Sequence, residues 1–292
     1  MTTSIEQTNL SAWRRMSHRV VTAQCALRQS LSNLSVDLTL LLRRCHEGVV
    51  LRQKHLGRFQ MIVRADEEVG REIYYGGVHE SAETAFLRSR VEPTSTCCDI
   101  GANVGYYSLL FASLAREGAV HSFEPVPLNF YVLCTNRLLN HFSNLTANPC
   151  AVGDSNGAVG FVVSRDSAFS SFVNTGIKPV AMEISVPITR LDTYCETNGI
   201  AGIDVLKVDV EGAEAKVLAG ATRLFADPSR RPRTVMLELY EPMLTHYGSS
   251  IDEILGQMGR FGYRPFVFAG GQLVRFEREH YNRLYNVIFL DE

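Results

Sequence analysis

The chain has 292 residues, of which 46% are apolar, with 29 basic against 31 acidic side chains. That is enough for one large α/β domain with an appendage and a sizeable core, and so balanced a charge favours neither a nucleic-acid backbone nor an anionic membrane as partner. A small-molecule ligand is expected instead. The seven cysteines (Cys25, Cys45, Cys97, Cys98, Cys134, Cys150 and Cys195) are odd in number and contain no C-x-x-C pair, so they read as reduced and mostly buried. Neither a signal peptide nor a membrane span is legible near the N-terminus, where Arg19, Gln24 and Arg28 interrupt the apolar residues. The expected compartment is the cytoplasm.

From Trp13, apolar residues fall at Met16, Val20, Ala23, Leu27, Leu31, Leu34, Leu38 and Leu41, in steps of three or four. This predicts a helical extension over residues 1–57, packed on the main domain of residues 58–292 or, alternatively, joining two copies in a homodimer. Residues 58–64 read as a strand and Glu80 to Val91 as a helix. Between them, Tyr74-Tyr75-Gly76-Gly77-Val78-His79-Glu80 predicts a loop over the ligand pocket, because two glycines let the backbone approach closely.

From residue 95 onward, strand-like and helix-like stretches alternate, the pattern of crossover units in a mostly parallel, doubly wound α/β sheet. Strands are expected near 95–100, 119–124, 145–152, 203–209 and 234–239, and helices near 105–117, 127–141, 212–226 and 250–261. A β-rich insertion covers 155–190. In the tail, Tyr263-Arg-Pro-Phe-Val-Phe268 and Tyr285-Asn-Val-Ile-Phe-Leu290 flank the Gly270-Gly271 turn, and predict an antiparallel strand pair closing the sheet.

Asp99-Ile-Gly-Ala-Asn-Val-Gly105 joins the first strand of this alternation to a helix. Gly101 and Gly105 permit a sharp turn and close approach, Asn103 lies between them, and the new helix offers unpaired N–H groups. The next strand ends in Glu124, placed to accept hydrogen bonds from both hydroxyls of a ribose. Together they imply a nucleoside ligand. The loop lacks the second glycine of G-x-G-x-x-G, and Asp99 would repel a pyrophosphate while suiting the ammonium of a methionine moiety. Both features favour S-adenosylmethionine over a nicotinamide dinucleotide.

Three blocks then occur in order: Asp99-Ile-Gly-Ala-Asn-Val-Gly-Tyr-Tyr-Ser108, Phe123-Glu-Pro-Val-Pro-Leu-Asn-Phe130 and Leu206-Lys-Val-Asp-Val-Glu-Gly-Ala-Glu214, with Arg190-Leu-Asp192 upstream of the last. On these the chain resembles the FkbM-type methyltransferases from about residue 70 onward. The resemblance implies a class I Rossmann-like fold, S-adenosylmethionine as cofactor, and O-methylation of a sugar, polyketide or other secondary metabolite. It also places Glu80 near the cofactor. N-methylation, or a catalytically silent S-adenosylmethionine-binding scaffold, are the alternatives.

Methyl transfer to a hydroxyl needs a base, and in open α/β sheets ligands bind at the carboxyl ends of the strands. The candidates there are Asp209 and Glu238, at the ends of the fourth and fifth strands, and His246 in the following loop. Asp209 is also a candidate cofactor contact. Asn129 is expected to cap its helix or assist the ribose, and Ala151 and Val152 to lie against the adenine. Asp209 with Glu238 supplies too few ligands for a metal, so none is expected. Ser170 and Ser171 fit either the acceptor pocket or a turn, and His121 reads as structural.

Overall fold

The computed structural model describes residues 50–55, 59–64, 68–164, 170–173, 179–281 and 283–291. The helical stripe of residues 13–41, and the dimer expected from it, lie outside the described residues. Residues 48–292 form one compact unit. It begins with a hairpin, β1 (Val50–His55) and β2 (Phe59–Arg64). The sequence reading had placed the first of these strands in the helical extension.

The main sheet is built from β3 (Thr96–Ile100), β4 (Ala119–Phe123), β5 (Leu145–Asn148), β9 (Val205–Val208), β10 (Thr234–Leu239), β11 (Tyr263–Ala269), β12 (Gln272–Arg275) and β13 (Tyr285–Asp291). Its order is β12-β11-β13-β10-β9-β3-β4-β5, with β5, β4, β3, β9 and β10 pairing in parallel and the β10-β13, β13-β11 and β11-β12 pairs antiparallel. This is the mostly parallel, doubly wound α/β architecture expected, closed by antiparallel C-terminal strands. The chain reverses direction in the order between β3 and β9, which opens a crevice at the carboxyl edge. The glycine turn at 270–271 leads into β12, a strand the sequence reading omitted. β13 then returns between β10 and β11.

Strand periodicity sorts side chains to the two faces. Cys98, Ile100, Leu206, Val208, Val235, Leu237, Val287 and Phe289 point into one core. That core is covered by α6 (Glu214–Ala219), α7 (Thr222–Ala226) and α9 (Ile251–Arg260). Cys97, Val205, Met236 and Ile288 point into the other, with β2, α2 (Ser81–Arg90), α3 (Tyr106–Leu114) and α4 (Pro127–Leu139). On that second face the alternation also carries Asp99, Lys207 and Glu238 toward the carboxyl edge. Lys207 pairs in register with Asp99 and with Met236, and Glu238 with Asn286.

The strand expected at 145–152 is two. Pro149 has no N–H to continue the ladder, so β5 stops at Asn148 and β6 (Ala151–Val152) joins a separate three-stranded sheet with β7 (Gly157–Ser164) and β8 (Val180–Thr189). The single helix expected over 212–226 is also split, between α6 and α7 around Gly220. A Cβ at Gly220 would overlap the carbonyl of Gly153, so the chain turns where that loop presses against it. Ahead of α2, the expected loop at 74–80 is partly a π-helical turn, Glu72–Gly76, which follows α1 (Glu68–Arg71) and ends at Gly77 with φ 76°. The remaining helices are α5 (Leu191–Thr197) and α8 (Glu241–Thr245). No helix among the described residues is long and apolar enough to cross a membrane.

Candidate active site

A cavity of about 310 Å³ opens along the carboxyl edge of the sheet, within the range of small-molecule and cofactor pockets. Its walls bring together segments from across the chain: Glu72, His79 and Glu80 before α2, Gly101 and Asn103 after β3, Glu124 and Val126 after β4, Ala151 and Val152 in β6, and Asp209, Glu211 and Glu238 after β9 and in β10. Asn129, Phe161, Ser170 and Phe172 complete much of the lining.

The glycine loop is fixed by its neighbours. Gly101 has φ 78°, and a Cβ there would overlap the carbonyl oxygen of Asp209, so the first loop and the end of β9 can pack only with glycine at this position. Gly101 and Ala102 both donate their N–H to the carbonyl of Phe123, at 3.0 and 2.9 Å. Gly105 has φ 95° and precedes α3, facing Leu133 rather than the cavity. Of the four non-glycine residues with positive φ among the described ones, Glu80, Asn103 and Glu211 all line the cavity. Such strained backbone clusters where function over-determines it.

Glu124 is 4% exposed. Its Oε2 accepts the N–H of Asn103 at 2.8 Å and its Oε1 the N–H of Val126 at 2.8 Å. Burial pushes its carboxyl up to about 7, with the two N–H groups opposing. Each oxygen keeps a second lone pair for a donor in the cavity.

Asp99 is fully buried and is not among the residues that line the cavity. At the penultimate position of β3, it is sealed under α3, where Ser108 Oγ donates to its Oδ2 at 2.5 Å. Lys207 Nζ lies 3.8 Å from Asp99 Oδ1 and 3.0 Å from Asp209 Oδ2, and sits over the ring of Tyr107. Burial pushes Asp99 up although Lys207 and Ser108 oppose it. Burial alone would lower Lys207, yet Asp209, Asp99 and Glu80 together drive it upward, so it remains a cation. The sequence reading missed Lys207. Its signal was a lysine at the centre of an otherwise apolar strand, Val205-Leu-Lys-Val208.

Glu80 is held by two donors, Tyr107 Oη to Oε2 at 2.6 Å and Asn286 Nδ2 to Oε1 at 2.6 Å. Asn286 is the register partner of Glu238, so Glu80 and Glu238 share one corner of the cavity. Asp209, Glu211 and Glu238 each present a carboxylate oxygen within 4.8 Å of the others. Burial and then the charges of Asp209, Glu211 and Glu80 push Glu238 well above the ordinary carboxylate range. Glu214, buried behind this corner, accepts the N–H groups of Val210 and Gly212 on Oε1, and burial pushes it up to about 7.

His246 is exposed at the end of α8 and is not among the residues that line the cavity. Its chain neighbour Tyr247 turns inward instead, accepting the N–H of Phe172 at 3.0 Å on its hydroxyl. Ser170 reaches the wall while its Oγ accepts the N–H of Ser164, and Ser171 Oγ donates to the carbonyl of Val173. His121 contacts the Tyr194 hydroxyl, away from the cavity.

The FkbM methyltransferase domain model matches residues 99–265, more than half of the chain. The chain belongs to the FkbM methyltransferase family. S-adenosylmethionine is accordingly its cofactor. A 31-O-demethyl-FK506 methyltransferase of Streptomyces tacrolimicus is 30% identical over 169 residues, 47% of this chain and 64% of that one. A 2-O-methyltransferase, NoeI, of Sinorhizobium fredii is 27% identical over 143 residues, 44% of this chain and 58% of that one. The alignments span less than two thirds of these FkbM relatives. A solved O-methyltransferase of Thermotoga maritima aligns over 73% of the chain and 66% of its own at 12% identity, with a TM-score of 0.37.

The cavity's chemistry fits S-adenosylmethionine. One end is apolar, where Val126, Ala151 and Phe161 cluster beyond β4, the waist carries the buried carboxylate of Glu124 at the end of β4, and the other end gathers Asp209, Glu211 and Glu238 at the ends of β9 and β10. A flat base, a ribose diol and a cationic amino-acid arm match these three regions in turn.

Proposed function

We propose that this FkbM methyltransferase methylates a hydroxyl of a sugar, polyketide or related metabolite. The observation that carries the reading is the division of one cavity into an apolar end, a carboxylate waist at Glu124 and an acidic end. In this reading Ala151 and Val152 lie against the adenine and Glu124 accepts both ribose hydroxyls. Gly101 and Asn103 bring the backbone close, with Gly105 and Asn129 supporting the adjoining helix starts. Asp209 and Glu80 face the amino-acid arm. Asp99 acts from below, through Lys207, which ties it to Asp209. The bound cofactor supplies an electrophilic methyl group on a cationic sulfur.

Asp209 and Glu238 then stand where the acceptor enters. Carboxylates that accept hydrogen bonds from hydroxyls orient a polyhydroxylated acceptor, and orientation in a closed site removes a large part of the barrier, roughly 7–11 kcal/mol in the best cases. The two relatives, both named for O-methylation, support oxygen as the methylated atom. The test is incubation with methyl-labelled S-adenosylmethionine and metabolite extracts of the native host, followed by mass spectrometry. A methyl ether on a small metabolite is the expected product. Label on nitrogen, or no labelled product under saturating cofactor, would overturn the assignment. A thermal-shift comparison adds a check on the donor: S-adenosylhomocysteine should stabilise the protein and NAD should not.

A further inference from the structure

The proposed reaction leaves a hydroxyl proton to be removed, and the acidic end holds one imidazole. His79 lines the cavity with 15% of its side chain exposed. Its Nδ1 is 2.5 Å from Glu72 Oε2 and its Nε2 is 3.7 Å from Glu80 Oε2. The ring is held edge-on to Tyr106 at 5.5 Å and tilted against Tyr107 at 6.2 Å, and the His79 carbonyl accepts the hydroxyl of Thr84 at 2.7 Å. A histidine whose Nδ1 proton is given to a carboxylate presents the lone pair of Nε2 to what stands before it.

We propose that His79 is the catalytic base of this enzyme and that Glu72 is its positioning residue, setting the tautomer and the direction of Nε2. The inference rests on the reading that a hydroxyl is methylated in this cavity. In the step, the acceptor oxygen bonds to the methyl carbon as the carbon–sulfur bond leaves its electron pair on sulfur. The hydroxyl proton passes to His79 Nε2 and then to solvent, through the half-exposed Glu72 side of the ring.

The other groups at this end suit the role less well. Asp209 is bonded to Lys207 Nζ at 3.0 Å, which commits the charge that would draw a proton. Glu238 stands among the carboxylates of Asp209 and Glu211, whose charges together with burial push it up. The charged groups around His79 are Glu72 from the π-helical turn, Glu80 beside it, Glu83 on α2 and Lys207 on β9. Burial lowers His79, but the hydrogen bond to Glu72 and the charges of Glu80 and Glu72 outweigh burial and Lys207, so it titrates above its ordinary 6.5.

The test needs no acceptor to begin. Calorimetry first measures binding of S-adenosylhomocysteine and of sinefungin, whose ammonium stands where the methylated sulfonium does. The His79 ring signal, assigned by its loss in His79→Gln, is then titrated by NMR in each complex. A positive charge beside the imidazole should lower its midpoint with sinefungin by about half a pH unit or more relative to S-adenosylhomocysteine. Glu72→Gln should lower the midpoint in both complexes while leaving the S-adenosylhomocysteine dissociation constant within about twofold. Identical midpoints with the two ligands, or no effect of Glu72→Gln, would overturn the proposal. If neither ligand binds, the donor reading fails at the calorimetric stage, before any titration. With an acceptor found in the extract screen, His79→Gln should lower kcat by about 10²–10⁴-fold and abolish the acidic limb of the pH profile. A loss below tenfold would remove His79 from the chemistry.

Discussion

Glu124→Gln is the sharpest test of the donor site, because both carboxylate oxygens are already engaged by the fold. Oε2 takes the N–H of Asn103 and Oε1 that of Val126, each at 2.8 Å. Glutamine keeps the shape, but its amide nitrogen faces one of those N–H groups donor to donor, and its single oxygen has to serve the other N–H and one ribose hydroxyl. A hydrogen bond to a charged group is worth about 1.5–3 kcal/mol. Losing one to the ligand, together with the charge that strengthens the second, should weaken donor binding by roughly 10²-fold or more. The wild-type affinity should also carry a proton signature. Burial pushes Glu124 up to about 7, whereas hydrogen bonds from a ribose favour the ionised form, so binding near pH 6 expels a proton. Affinity should therefore fall as pH drops through about 7. Calorimetry of S-adenosylhomocysteine binding in buffers of different ionisation enthalpy measures both quantities, with circular dichroism confirming the fold of the variant. A dissociation constant within twofold of wild type, or binding without proton release at pH 6, would refute the ribose assignment.

Three further outcomes follow from buried charge and from the small sheet. Lys207→Met leaves Asp99 and Asp209 without their shared cation. Breaking such a pair costs about 3–5 kcal/mol. The loss should sit at the lower end, since Asp99 is already pushed up and takes a proton when Lys207 goes; urea denaturation at pH 7 measures it, and a change under about 1 kcal/mol would contradict it. Glu214 is raised to about 7 in the folded protein, so its contribution to stability is complete below its unfolded value near 4.5 and is lost as pH rises through about 7. Glu214→Gln should remove that part of the decline, so the variant gains on wild type between pH 5 and pH 8 in urea titrations. Tyr247→Phe strands the N–H of Phe172 and costs about 1 kcal/mol locally. Amide exchange at Phe172 should quicken about fivefold and the acceptor KM should rise, with donor affinity unchanged.

Much of the sheet was legible because parallel strands buried on both faces read as short apolar runs between turn signals. The limits of β3, β4, β9 and β10 fall within two residues of those expected. Errors came where a local feature carried the decision. Pro149 sits in an otherwise continuous β-rich run, and only its missing N–H shows that the run divides between two sheets. β12 is four residues long with no buried side chain, so it left little apolar pattern to read. The glycine loop and Glu124 were recoverable because their roles depend on backbone conformation and strand ends, both written locally.

The acidic end was less legible, since its members meet only through topology. His246 follows β10 in the chain and was placed in the site on that ground, but the turn after α8 carries it outward and Tyr247 inward. His79 precedes the first strand of the main sheet. The resemblance argued for Glu80 as the contact in that loop, ahead of His79 beside it. What brings His79 in is the π-helical turn, which bends Glu72 back onto it across seven residues, together with the two tyrosines that open α3. The signal was nonetheless present, divided between segments. Tyr106-Tyr107 is the same pair that confines the ring, and Tyr107 also anchors Glu80 and lies beneath Lys207. A substitution at Tyr107 should therefore disturb His79, Glu80 and Lys207 at once. Tyr107→Phe isolates the hydroxyl's share: Glu80 loses its 2.6 Å donor while the ring stays in place for Lys207 and His79. The His79 titration midpoint should then move while the donor dissociation constant stays within about fivefold. An unmoved midpoint would show that Glu80 acts on the imidazole independently of how Tyr107 holds it.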